Sequence, residues 1–119
     1  MNENTNRLMI ALLALFTALV HLVFLNIRDF SQVFVVGSLN QLFALNGLGY
    51  LGLLAAVWFR IPAGQQRLVH YAFILFTAVT IVAWYVVNNG EIVLGLGVIT
   101  KIVEILLIIF LWMNLKHQK

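Results

Sequence analysis

Apolar positions run along this chain in four long blocks separated by short polar breaks. The blocks fall at about 8–25, 41–59, 68–87 and 91–115. Each is close to the roughly 20 residues an α-helix needs to cross the hydrocarbon core of a bilayer. The break from Arg60 to Arg67 holds the only proline, Pro62, and reads as a turn. Asn88-Asn89-Gly90 reads as a tight turn in which glycine supplies a positive φ. The break at 26–40 is longer and mixed, and its Val33–Val36 core is too short to span. That pattern predicts an interfacial or partly re-entrant segment between the first two helices. Short connections make sequential helices antiparallel neighbours. The expected fold is therefore an all-α, integral membrane, up-down-up-down bundle of four helices, forming one domain over 1–119.

Composition strengthens that reading. The chain is 63% hydrophobic and only 9% charged, with a mean hydropathy of +1.03. A soluble domain of this size buries about two thirds of its surface, too little to hide so much apolar area. Arg7 followed by an apolar run resembles a secretory signal. The run is as long as a span, however, and Leu25-Asn26-Ile27-Arg28 offers no small-x-small cleavage site, so an uncleaved first helix is expected. There is no cysteine, which excludes disulfides, zinc–thiolate sites and iron–sulfur clusters.

The net charge of +3 comes without any basic run that would follow a phosphate backbone, so nucleic acid is not an expected partner. Topology explains the charge better. In the predicted arrangement Arg7, Arg60, Arg67, Lys116 and Lys119 fall on one side and Arg28 on the other. The positive-inside rule then places both termini in the cytoplasm. Trp58, Tyr71 and Trp112 mark inner helix ends, and Trp84 and Tyr85 an outer end. Brief loops favour a prokaryotic plasma membrane.

Polar residues inside the spans are the candidate chemistry. Lys101 and Glu104 lie three apart in the fourth block, on one helix face, where they form an ion pair without outside help. Charges at that depth rarely face lipid, and the bundle must cover them. Counted at about 1.5 Å per residue, His21 lies roughly 10 Å from the outer end, Lys101 roughly 15 Å and Glu104 roughly 20 Å. Thr17 shares a face with His21, and Asn46, Thr77, Thr80, Trp84, Asn88 and Thr100 add polar groups from the other helices. These groups are expected to converge in the outer half. Asn46, Gly49, Gly52 and Ala56 recur three or four apart on the second helix. Gly49, Gly52 and Ala56 thus read as a packing stripe, for a helix of this bundle or of a second copy.

Two readings of function follow. In the first, Lys101 and Glu104 neutralise each other and organise a non-catalytic accessory or interaction subunit, acting as a homo-oligomer or within a larger membrane complex. In the second, His21, Asn46, Trp84, Lys101 and Glu104 line a ligand, anion or proton site in a small transporter or binding protein. No metal site or cofactor is expected. Haem held by two histidines would need both at one depth, whereas His21 lies outside, His70 inside and His117 in the tail. Hydrolase and nucleotide motifs are missing, and Gly47-Leu48-Gly49 lies within an apolar helix. In length and span number the chain resembles the small multidrug resistance exporters. That family carries its membrane carboxylate on the first helix, where this chain has Thr17 and His21, so the resemblance is architectural and transfers no residue.

Overall fold

Because these helices are apolar on nearly every face, what distinguishes one face from another is a narrow buried stripe at helical spacing. The computed structural model describes residues 3–24, 39–87 and 96–118. Helix α1 spans Glu3–Leu19 and continues into a π-helical turn, Val20–Phe24. It buries Asn6, Ile10, Ala14, Thr17, Ala18 and, within the π turn, His21. Helix α2, Leu39–Trp58, buries Gly47, Tyr50, Leu54 and Val57. After a 3₁₀ turn at Ala63–Gln65, helix α3 runs Gln66–Val87 and buries Gln66, His70, Phe73, Thr77 and Thr80. Helix α4, Leu96–Leu115, buries Thr100, Lys101, Glu104, Leu107, Leu111 and Asn114.

All four helices are long and apolar enough to cross a membrane, which points to a multi-pass membrane protein. The long dimension of 42 Å matches the roughly 40–45 Å of a bilayer with its headgroups. Helix α1 packs against α2 and α4, and α3 packs against α4 and, less extensively, α2. Their stripes meet in a core of Ile10, Ala14, Ala18, Tyr50, Leu54, Val57, Phe73, Leu107 and Leu111. Leucines, isoleucines and valines on the other faces, such as Leu12, Leu75 and Ile102, are exposed, as lipid contact requires.

The first helix begins five residues before the apolar block, at Glu3, because a polar first turn with an acid at the helix N-terminus extends it beyond the oily stretch. The expected interfacial segment, Asn88 and Glu91 lie outside the described residues. The end of α2 is better defined. Ile61 N donates to Ala56 O at 2.9 Å while Arg60 takes φ 56°. This is a Schellman-type stop in which arginine occupies the left-handed position that glycine usually fills. Arg60 turns there to meet Glu3, Nη2 to Oε1 at 3.0 Å. Arg7 donates to the carbonyl of Trp58 at 2.6 Å, and Arg67 to that of Gln118 at 3.5 Å. The start of α1, the end of α2, the start of α3 and the tail after α4 thus gather at one basic end.

Glycines on α2 play unequal parts. A Cβ at Gly47 would lie 2.5 Å from Leu22 Cγ and 3.1 Å from the Ala18 carbonyl, so α1 and α2 cross here closely. At Gly49 it would press on the Phe76 ring, 2.6 Å from Cζ. At Gly52 it would meet nothing within 4 Å. The expected stripe therefore splits within this chain. Gly49 receives a ring from α3, Ala56 is half-buried and accepts at its carbonyl from Gln66 Nε2 at 3.3 Å, and the face at Gly52 is open.

Candidate functional site

Toward the end of the bundle away from the arginines, the four buried stripes turn polar. Lys101 Nζ meets Glu104 Oε1 at 2.7 Å, with side-chain exposures of 9% and 0%. One turn of α4 sets the two on one face, and the neighbouring helices enclose them. The Lys101 ammonium also lies 5.9 Å from the centre of the Trp84 ring, within cation–π range. The π-helical turn holds His21 beside this pair, where Lys101 acts on it electrostatically. His21 Nδ1 lies 2.9 Å from the Thr17 carbonyl. A carbonyl only accepts, so Nδ1 carries a proton, and in the neutral ring Nε2 then keeps a lone pair.

Tyr50 belongs to this layer, although spacing along the sequence did not single it out. Its side chain is fully buried, 5.7 Å from the His21 ring and 4.9 Å from that of Phe76, centre to centre. Its phenol stands near Glu104, Thr77 and Thr80, close enough for each to act on it. The hydroxyls of Thr77 and Thr80 donate to the carbonyls of Phe73 and Phe76 at 2.9 and 3.0 Å. Among the described residues neither Tyr50 Oη nor Glu104 Oε2 makes a well-formed hydrogen bond, and Thr17 Oγ1 is also buried without one. A buried hydroxyl or carboxylate oxygen left in that state is destabilising by about 1–3 kcal/mol. The carboxylate therefore has one oxygen on the ammonium and one unspent beside an unspent phenol.

His21, Trp84, Lys101 and Glu104 are thus brought together, with Thr77, Thr80 and Thr100 around them. Asn46 is half-buried one turn before Tyr50 and makes no side-chain hydrogen bond among the described residues. The signal for Tyr50 was its place four residues after Asn46, which puts both on adjoining parts of one face.

A second polar group lies at the basic end. His70 Nδ1 donates to the Gln66 carbonyl at 2.7 Å, which leaves Nε2 to accept from Asn114 Nδ2 at 3.0 Å. Gln66 Nε2 donates to the carbonyls of Ala56 and Pro62. Asn6 is buried on α1, and Glu3, one turn before it, acts on His70 electrostatically. The side-chain oxygens of Asn6, Gln66 and Asn114 lack partners among the described residues. Lys101 and Asn114 are thirteen residues apart on α4, which separates the layers by about 20 Å. His21 and His70 consequently do not face each other. No cluster of histidine and acidic residues able to hold a metal exists among the described residues.

No family model matches the chain, and no curated protein or solved structure is similar to it.

Proposed function

We propose that the chain is a non-catalytic four-span subunit of a prokaryotic plasma membrane, up-down-up-down with both termini cytoplasmic, organised around Lys101 and Glu104. It acts as a homo-oligomer or within a larger membrane complex. The single observation that carries this reading is the closure of the pair on itself at 2.7 Å with Glu104 fully enclosed. Two charges that satisfy each other inside a bundle fix helix rotation, because any other rotation strands one of them in hydrocarbon. The joining of helix ends at the basic end, through Arg7–Trp58 and His70–Asn114, supports the antiparallel order. The basic residues there support a cytoplasmic location.

Lys101→Met, Glu104→Gln and the double substitution test this reading. Each single change should lower stability in detergent by about 3–5 kcal/mol, since it leaves one buried group unmatched, and the double change should recover most of the loss. Denaturation midpoints of the purified variants measure the effect. Well-folded single variants would overturn the reading.

A second reading rests on the unspent oxygens. Tyr50 Oη and Glu104 Oε2, beside His21 and Lys101, make a small polar ligand or a proton site in a transporter or binding protein. On this reading the single variants fold but lose uptake or binding in liposomes, and the double variant does not regain it.

A further inference from the structure

Between α1 and α2 the bundle surface carries an apolar groove of about 400 Å³. Leu8, Leu12 and Leu15 stand along its α1 rim with 43–54% of their surface exposed. Ala11 and Ala55 form its shallow floor, and Trp58 and Phe59 close it at the basic end. From Leu15 to Leu8 it runs along about 10 Å of helix. A furrow with leucines along its rim and alanines among its lining suits a methylene chain.

The charge at its Trp58 end says what kind of chain. The Arg7 guanidinium lies 5.0 Å over the Trp58 ring and spends one hydrogen on the Trp58 carbonyl. Its remaining donors have no protein partner among the described residues. Arg60 follows Phe59 directly, with 51% of its side chain exposed, and among the described residues its acidic partner is Glu3. Two cations against one acid thus stand at the helix ends, at the mouth of an apolar furrow. We propose that this groove binds one anionic phospholipid, with its phosphate on Arg7 and Arg60 and an acyl chain over Ala11 and Ala55. A second copy of the chain would cover the apolar part, but the acid described at this end, Glu3, is already paired with Arg60.

The full chain, purified in detergent, is mixed with equal amounts of phosphatidylglycerol and phosphatidylcholine of identical acyl chains and examined by native mass spectrometry. The expected result is one retained phosphatidylglycerol, each arginine contributing about fivefold to its preference over phosphatidylcholine. Arg7→Gln should remove one such factor, and Arg60→Gln, on an exposed side chain, repeats the test independently of the Trp58 contact. Ala55→Trp fills the furrow and should abolish retention of both lipids, as should Leu12→Trp, which adds bulk from the exposed rim without touching the core. Circular dichroism and elution volume report folding, and Leu12→Trp decides the matter where Ala55→Trp does not fold. Equal retention of the two lipids by the unsubstituted chain would overturn the proposal, as would unchanged retention in a folded plugged variant. A dimer mass lost on plugging would identify a second copy as the occupant.

Discussion

The Lys101–Glu104 layer and the His70–Asn114 layer sit at opposite ends of one apolar core, and they bury polarity by different means. The first concentrates it in a single ion pair, with one donor and one acceptor matched at 2.7 Å. The second spreads it over the neutral amides of Gln66 and Asn114 and the His70 imidazole, which bond to backbone carbonyls or to one another. A charge left alone in the interior is far more unfavourable than an amide left alone. The charged layer is therefore the less forgiving of the two. The neutral layer, close to the basic end, has polar surroundings to fall back on.

This contrast is open to direct attack. Lys101→Met should be the most damaging of the substitutions considered, lowering stability by about 3–5 kcal/mol. His70→Leu should lose only about 1–3 kcal/mol, the penalty for the stranded Asn114 amide. Detergent-resistant unfolding curves for both, under one condition, test the ranking, and reversal would mean that the amide layer holds the bundle. Gly47→Ala should be destabilising by about 1–3 kcal/mol through overpacking on Leu22 and the Ala18 carbonyl. Gly52→Ala, facing open space, should gain up to about 1 kcal/mol from helix propensity. A loss at Gly52, measured as a lower melting point or a changed oligomer mass, would reveal a helix from another copy seated there. The smallest change is Tyr50→Phe. If the charged layer only organises the bundle, removing an unpartnered phenol oxygen should be neutral or stabilising by about 1 kcal/mol. Loss of binding or uptake with intact folding would transfer the layer to the ligand-site reading.

What was legible in the sequence followed from spacing along a single helix. The four spans are visible as apolar blocks, and the Lys101–Glu104 pairing as a three-residue step within one of them. His21 and Thr17 were placed on one face for the same reason, and the His21 ring donates to the Thr17 carbonyl one turn earlier. Contacts between helices were not legible. His70 and Asn114 are 44 residues apart, and their meeting depends on how α3 and α4 are rotated. In a soluble helix a polar face would announce that rotation. On α4 the buried face carries Leu107 and Leu111 and the exposed face Ile102, Ile105 and Ile109, so hydropathy hardly separates them. Tyr50 was overlooked on the same grounds, since one hydroxyl among apolar neighbours does not say which way it turns. At Gly52 no described residue of this chain approaches, because small-residue spacing marks where a helix is able to pack and not which helix does so.

Both buried imidazoles give their Nδ1 hydrogen to a carbonyl one turn earlier on their own helix, Thr17 for His21 and Gln66 for His70. The outward-looking nitrogen of each ring is thereby fixed as a receiver. At His70 the neighbour that fills this role is an amide NH₂. At His21 the same rule holds for the neutral ring: whatever meets Nε2 has to offer a hydrogen, as an alcohol, an amine or an amide does. A bare anion is turned away from that nitrogen, and the cation of this layer that can pair with one is Lys101.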